Sequence, residues 1–578
     1  MQYKIFPRDD KLSIIEQIFK NRGMDQNAAI HFLNPAAEDI FSAHKLDKIE
    51  DAAKLLCRHL AHQNKIFIQV DSDCDGYTSA AVLINYLHRI LPNVVENTVS
   101  YKLHNNKHHG LIIDTIPEGT KLVIAPDSSS NEPEVHKQLF ENGIDILVLD
   151  HHVADKDISD PALIINNQIC NYPNKNLSGV GIVYKLCKVL DEIFKVSYAD
   201  DYLDLVALGL TADMMDIREL ETHYYITEGF NNVYNVFFKT LVEKQSFLMK
   251  DKVNPFTVSW YIAPLINAMT RSGEDDEKLC LFEALLDYKV NTLVPSTKRG
   301  QKGKEELLLD QAIRTCSNVK NRQERNKEQI LNQVLPMAES MQNEPILIIK
   351  LEVPIDENLN GLIANQIMGQ FNKPVLVLNK TVEGNNIYWK GSGRGLTTEL
   401  VTDWRGYIES TRLVEYAQGH DNAFGVCFLD EKLEKFQQII REYFNGIDVT
   451  SCLYVDLVFE QSENFDSSIK EIGLLNGIWG QNIREPLVMI KNIQISKEQI
   501  QLLKKGTVKI TIPNHDTTCI KFNSEKIYND ISNKFPSEEA YLQINLFGSC
   551  SINEYMGQCT PQLKIQDYEI SKVLDWVF

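Results

Sequence analysis

The sequence predicts an α/β protein: a parallel-sheet domain, a long connecting helix, a smaller α/β domain and a C-terminal β-barrel. Three observations predict it. From residue 65, short runs rich in β-branched residues alternate with amphipathic stretches, the pattern of βαβ units and a parallel sheet. Residues 305–343 form a polar, helix-favouring segment with no proline before Pro336. Beyond about residue 450, short strands follow one another with turn residues between them, as in a small barrel. With 578 residues, the chain has room for roughly three or four domains.

Taken in order, residues 12–60 read as helical, with apolar residues at helical spacing in LSIIEQIF and DAAKLLCRHL. KIFIQV (65–70), KLVIAP (121–126), DILVL (145–149) and ALII (162–165) read as strands, and SAAVLINYLHRIL (79–91) and EVHKQLFENG (134–143) as helices between the first three. PILIIKL (345–351) and KPVLVLN (373–379) flank a helical GLIANQIMGQF (361–371), the smaller α/β unit. YVDLVFE, PLVMIKNIQI, TVKITI, TTCIKF, YLQINLF and PQLKIQD supply the strands of the barrel. These patterns divide the chain into 1–304, a connecting helix at 305–343, 344–447 and 448–578.

Composition excludes several classes. Hydrophobic residues are 43% and charged residues 24%, which is ordinary for a soluble globular protein and unlike a disordered or fibrous chain. No run approaches about 18 uninterrupted apolar residues, so no membrane span is expected. MQYKIFPRDDKL lacks the apolar core of a signal peptide. None of the eleven cysteines lies in a C-x-x-C pair, which excludes the usual zinc ribbons and thioredoxin-like motifs. Single cysteines in apolar segments fit reduced thiols and a cytoplasmic location. The net charge of −20 is not that of a DNA-coating protein. A nucleic-acid enzyme needs only a local basic path, and residues 298–327 carry nine basic residues against four acidic ones. Residues 451–578 carry 12 basic against 16 acidic, which is poor for purely electrostatic binding; Trp479 and Tyr555 are there either to stack bases or to fill the core.

Three candidate strands end in acidic or histidine residues: Asp71-Ser72-Asp73-Cys74-Asp75-Gly76, Asp127, and Asp150-His151-His152. Ligands of an open parallel sheet bind at that edge. A carboxylate cluster there is costly unless something positive sits among it, and two hard divalent cations are the economical answer. Imidazole beside carboxylate shifts the choice towards manganese, with magnesium as the alternative. In a straight strand Asp71 and Asp75 would lie roughly 13 Å apart, so the motif must read as strand, acidic loop curling at Gly76, then a helix beginning at Thr78-Ser79. Asp213 interrupts the apolar stretch LVALGLTADMMDI and needs a partner. A calcium loop is the alternative for D-x-D-x-D-G, but a strand precedes it here. His108-His109 read as loop residues.

D-x-D-x-D-G-x-T-S (71–79), Asp127, LDHH (149–152) and TAD (211–213) resemble the four motifs of the DHH phosphoesterase superfamily, and within it the RecJ family of single-strand-specific exonucleases. FLNP (32–35), LSGVGIVYKL (177–186), IAPLINAMTR (262–271), KGSGRG (390–395), GHDNAFG (419–425), WGQNIREP (479–486) and INEYMG (552–557) extend the resemblance over most of the chain. It implies a DHH catalytic domain, a DHH-associated domain and an OB-fold. The implied activity is 5′→3′ hydrolysis of single-stranded DNA in recombination and repair. A single-strand-binding protein and a helicase are candidate partners.

The resemblance also implies site residues. Two manganese ions would be held by Asp71, Asp73, Asp75, Asp127, His151 and Asp213, with Asp127 bridging and His152 near the scissile phosphate. Asn267 and Arg271 would line the channel between lobes, and Ser392, Arg394 and His420 would hold the strand, Ser392 and Arg394 by a phosphate near its 5′ end. The chain departs from the family in Ser128-Ser129-Ser130 after Asp127, where a glycine is usual. Gln418 stands in place of the first paired glycine. His104 takes the place of an arginine that helps to bind the 5′ phosphate, with Lys102 or Lys107 as substitutes. Alternatives in other classes are a phosphoesterase for small nucleotides, a pyrophosphatase and a non-catalytic scaffold; the C-terminal domain argues against the first two, and the full acidic set against the last.

Overall fold

The computed structural model describes residues 2–104, 109–154, 160–398, 400–447, 449–480, 482–555 and 557–574. They form two compact units. One comprises Arg8–Lys320, Phe459–Pro486 and Ile490–Phe578; the other Met1–Pro7, Asn321–Val458 and Leu487–Met489.

The larger unit is built on β1 (Lys65–Val70), β2 (Val99–Leu103), β3 (Thr120–Pro126), β4 (Asp145–Asp150) and β5 (Leu163–Asn166). All pair in parallel, in the order β2-β1-β3-β4-β5. Their central residues are fully buried, Ile68, Ile124 and Leu147 at 0% exposure, which is why they read as unbroken apolar runs. The chain leaves β1 for β2 on one side and returns to β3 on the other. Such a reversal opens a crevice at the carboxyl ends of the two central strands, and Asp71 and Asp127 follow those two strands directly.

Helix α1 (Cys74–Ile90) follows β1 and packs against α2 (Gly179–Phe194) and α3 (Leu203–Ala212). It begins at Cys74, four residues before the expected Thr78. The reason is local: Asp73 caps it, its Oδ1 accepting the Gly76 N–H at 3.1 Å. Gly76 lies within the first turn, where a Cβ would stand 2.5 Å from the Asp71 Cβ; close approach, rather than a curl of the loop, is what requires glycine there. Helix α4 (Ala263–Ser272) packs against α1 and α3.

The long helix α5 spans Leu308–Ser340. It starts three residues later than the sequence suggests because Glu305–Leu307 pairs as a strand with Leu293–Pro295. In the smaller unit, β6 (Leu347–Leu351), α6 (Glu357–Phe371), β7 (Val375–Glu383), β8 (Asn386–Arg394), β9 (Tyr416–His420) and β10 (Ala423–Leu429) build a sheet ordered β9-β10-β8-β7-β6. Strand β7 is buried on both faces along Val375–Asn379, and its side chains alternate between two cores: Leu376 and Leu378 join Trp389, Trp404 and Phe428, and Val375 and Val377 join Ile363 of α6 and Val334 of α5. Gln2–Ile5, outside the expected helical region, pairs in parallel with Cys452–Val455.

Seven C-terminal strands form one mixed sheet: β11 (Leu457–Glu460), β12 (Leu487–Ser496), β13 (Ile500–Leu503), β14 (Thr507–Thr511), β15 (Thr518–Lys521), β16 (Tyr541–Tyr555) and β17 (Gln558–Leu574), ordered β11-β12-β16-β17-β15-β14-β13. Of these seven, the strand the sequence did not reveal is β13, an edge strand with only Ile500 buried. Trp479 is 3% exposed and packs on Phe19, ring centroids 5.8 Å apart, so it belongs to the core. Among the described residues no helix is long and apolar enough to cross a membrane.

Candidate metal centre

The carboxyl edge of the sheet gathers the residues that the sequence singled out. His151 Nε2 stands 3.2 Å from Asp127 Oδ1, 3.5 Å from Asp213 Oδ2 and 4.0 Å from Asp75 Oδ2. Asp71, Asp73 and Asp127 offer one oxygen each within 4.8 Å of one another, as do Asp127, His151 and His152 with their ligand atoms. Seven predicted residues therefore form one constellation. Asp127 is common to two of these groups, as a bridging ligand would be.

Each member has a local reason for its place. Asp127 follows β3 with φ +67°, a left-handed conformation that aspartate tolerates better than most residues, and its N–H donates to the Leu149 carbonyl at 2.8 Å. Ser129 also has positive φ, +83°. Its hydroxyl is held by Glu132 and lies 3.3 Å from His136 Nε2. Strain of this kind gathers at functional sites. Asp213 is the C-terminal cap residue of α3, so it closes the helix rather than interrupting it.

Asp75 is clamped by the start of α2. Ser178 Oγ donates to its Oδ1 at 2.8 Å, and the Gly179 N–H to its Oδ2 at 2.6 Å. Gly209 of α3 closes the other side, where a Cβ would stand 2.5 Å from Asp75 Oδ1. The oxygens of Asp71 are bracketed by two imidazoles, His104 Nδ1 at 2.9 Å and His109 Nδ1 at 2.7 Å. The other nitrogen of His104 contacts the Gly110 carbonyl at 2.6 Å. With both nitrogens occupied and the side chain 0% exposed, His104 has no atom to offer a phosphate. Lys102 is exposed on β2, whereas Lys107 and His108 lie outside the described residues. His109 is not a mere loop residue, because it holds Asp71.

Asp150 fixes the histidine pair. Its Oδ1 accepts the His151 N–H at 2.7 Å and contacts His152 Nδ1 at 2.7 Å; its Oδ2 accepts the Ser130 N–H at 3.1 Å. The His152 ring is 54% exposed, so its other edge is open to solvent. Burial opposes a charge on this ring, but the Asp150 hydrogen bond and charge outweigh it and raise its pKa to about 9. Asp150 itself is driven down, because His152 overcomes the cost of burial.

The electrostatics fit a cation. Burial pushes Asp127 well above the ordinary carboxylate range, and the charges of Asp75, Asp73 and Asp71 push it further. Burial, then Asp75 and Asp73, do the same to Asp213. Asp73 is raised by burial and by Asp71 and Asp75. Asp127 Oδ1 and Asp213 Oδ2 are buried and accept no hydrogen bond. Buried acceptors left unsatisfied cost several kcal/mol in general, and hard divalent ions take oxygen and imidazole ligands of this type. The donor set therefore fits divalent metal.

Arg271, exposed near the end of α4, acts electrostatically on Asp73, and Asn267 lies one turn earlier on that helix. Ser392, Arg394 and His420 belong to the smaller unit. Ser392 pairs with Gly425, and Arg394 and His420 both pair with Ala423 from opposite sides; Gln418 pairs with Gly425 without disturbing the sheet. Sequence reasoning gave no role to Ser178, Gly179, His104 or His109. The glycine-rich LSGVG was the one available signal; the histidines are 33 and 38 residues from Asp71 and nothing in their spacing marks them.

Comparison with known proteins agrees with this architecture. The DHH family N-terminal domain matches residues 65–210 and the RecJ OB domain residues 455–567. The SPbeta prophage-derived protein YorK of Bacillus subtilis (strain 168), which carries the name of a single-strand DNA-specific exonuclease, is 34% identical over 99% of this chain and 98% of its own length. The single-stranded-DNA-specific exonuclease RecJ of the same organism is 23% identical over 97% of this chain and 68% of its own length. The crystal structure of RecJ in complex with Mn2+ from Thermus thermophilus superimposes with a TM-score of 0.73 at 18% identity, covering 99% of this chain and 80% of that one, a likeness of fold. By this full-length identity and by both matched domains, the chain belongs to the RecJ family of the DHH superfamily.

Proposed function

We propose that the chain is a metal-dependent exonuclease that hydrolyses single-stranded DNA in the 5′→3′ direction, as part of recombination and repair. The observation that carries this reading is the carboxylate–histidine constellation at the carboxyl edge of the sheet, in a chain whose relatives, matched over nearly all of it, are named as single-strand DNA-specific exonucleases. Asp71, Asp73, Asp75, Asp127, His151 and Asp213 hold two divalent ions, manganese by preference and magnesium as the alternative. The chemistry such ions supply when bound is a water of lowered pKa and neutralisation of the charge that develops on the phosphoryl oxygens.

The chain's own residues do the rest. Asp127 faces both halves of the constellation and fixes their spacing. Ser178, Gly179 and Gly209 hold Asp75 against rotation, and His104 and His109 hold Asp71. His152, oriented by Asp150, contacts the scissile phosphate and donates to an oxygen that gains charge. Arg271 adds a positive group, with Asn267 one turn earlier on the same helix. Ser392, Arg394 and His420 receive the strand in the smaller unit, and a single-strand-binding protein or a helicase delivers it. The division at 304, 343 and 447 assigns catalysis to the first segment and strand handling to the others.

The test is digestion of end-labelled single strands and blunt duplexes with purified protein, with and without manganese. The expected outcome is manganese-dependent release of nucleotides from the 5′ end of single strands. Release from the 3′ end, equal rates on duplex, or undiminished hydrolysis by metal-free protein in excess chelator overturns the reading.

A further inference from the structure

Helix α4 is entered through a π-helical turn, Val258–Ile262. Such turns insert a residue and change which side chains share a face. Below the turn, Ile262, Leu265, Ile266 and Met269 are buried, while Trp260, Pro264, Asn267 and Arg271 remain on the less buried side. Trp260 is 65% exposed and Phe256, about one turn before it, 46%. The two rings touch, with centroids 6.1 Å apart. Single exposed apolar residues need no explanation, but two large aromatics in contact form a patch.

The ends of this face are fixed by other elements. Helix α4 packs against α1, which carries Asp75, and against α3, which ends at Asp213. At the far end Asn254 caps the turn, its Oδ1 accepting the Thr257 N–H at 2.9 Å. Its Nδ2 lies where a Cβ on Gly477 would be 2.5 Å away, and Gly477 belongs to the segment that matches the RecJ OB domain. The segment that carries this face thus runs from the metal centre, where Arg271 acts electrostatically on Asp73, to the segment that matches the RecJ OB domain. Trp260 and Arg271 are eleven residues apart, about 16 Å along the helix.

We propose that this face is the bed for the substrate strand, with Trp260, supported by Phe256, stacking one base of the strand away from the scissile phosphate. Every base has a π-face, so a stacking platform holds a strand without reading its sequence. It also grips without charge. A chain of net charge −20, with more acidic than basic residues in its C-terminal segment, repels a polyanion at long range, and stacking does not depend on that balance.

The proposal rests on the reading of single-stranded DNA as substrate, and the experiment separates the two. Wild type, Trp260→Ala and Trp260→Phe, each checked for an unchanged Tm, are assayed on a long single strand, on a dinucleotide, and on strands with one abasic position moved along the sequence. Trp260→Ala raises KM on the long strand about tenfold, Trp260→Phe restores most of the loss, and neither changes hydrolysis of the dinucleotide. In wild type one internal abasic position raises KM; in Trp260→Ala that position has no effect. Unchanged KM on the long strand, or equal losses on the dinucleotide, overturns the platform. Failure of wild type to digest any single strand defeats the substrate reading instead. The platform is then judged by the Kd for labelled oligo(dT), and a Kd unchanged in Trp260→Ala overturns it.

Discussion

Gly179 lies so close to Asp127 that a Cβ on it would stand 2.5 Å from the Asp127 Cβ and 2.6 Å from its Oδ1. The same residue's N–H grips Asp75 at 2.6 Å. One glycine at the start of α2 thus sets the position of two carboxylates, one directly after β3 and the other in the first turn of α1. Gly179→Ala should force Asp127 aside without opening a cavity. A displacement of about 1 Å in such a site costs on the order of a hundredfold in kcat. Steady-state kinetics with saturating manganese, beside a Tm within a few degrees of wild type, would check this; wild-type turnover would show that the contact places nothing of consequence.

Asp127→Ala should abolish hydrolysis and leave the metal-free protein at least as stable as wild type. Burial, and then the charges of Asp75, Asp73 and Asp71, raise this carboxyl well above the ordinary range, so its removal relieves a desolvation cost and a repulsion. Metal should raise the Tm of wild type, because ligands bound only by the folded state stabilise it, and this rise should shrink in the variant. Calorimetric scans with and without manganese give both numbers, and a metal-free Tm well below wild type would count against the assignment.

The sheet was legible because its strands are buried on both faces and read as apolar runs, and the site was legible because charge at the end of such a run is conspicuous. Strand β2, VSYKL, escaped notice: it is an edge strand with only Leu103 buried, so its composition resembles a loop. The bracket of His104 and His109 around Asp71 escaped for another reason. It depends on β2 lying beside β1, a tertiary fact that local pattern does not carry. Trp479 was ambiguous because a buried aromatic and a stacking aromatic have the same composition; only its contact with Phe19 decides.

Asp204 predicts a pH dependence away from the metal centre. It is 1% exposed, and burial raises its pKa to about 6 although the N–H groups of Asn235, Leu205 and Tyr234 donate to it. Its folded value lies above the ordinary value of 3.8. The stability it contributes is therefore complete below about pH 4 and is lost as pH rises through about 6. Two pKa units correspond to roughly 3 kcal/mol. Asp204→Asn does not titrate, so the advantage of wild type over this variant should shrink by up to that amount between pH 4 and pH 7. Parallel unfolding curves at the two pH values test it, and a constant gap would mean that Asp204 ionises as freely in the folded protein as in the unfolded chain.

Arg394 should matter more to substrate than to metal. It ends β8, and its guanidinium lies across Gly361 of α6, where there is no room for a Cβ beside Nη2. Its Nη1 donates to the Gly393 carbonyl at 2.7 Å, which fixes the plane of the group. His420 stands across Ala423 from it, so a terminal phosphate at this end of the sheet would meet a guanidinium capable of two parallel hydrogen bonds. Because His104 is closed in by Asp71 and Gly110, a 5′ phosphate would lose one expected partner and would depend more on this arginine. Arg394→Ala should lower kcat/KM on 5′-phosphorylated strands roughly ten- to hundredfold, the equivalent of about 1.5–3 kcal/mol for a charged hydrogen-bond donor, and should lower it less on strands ending in a hydroxyl. Gly361→Ala, which leaves the arginine in place but pushes its head aside, should act in the same direction and more weakly. Matched strands with and without the 5′ phosphate, assayed beside a manganese titration of each variant, give the answer. Equal losses on both strands, no loss on either, or weakened manganese binding would remove Arg394 from the terminal-phosphate site.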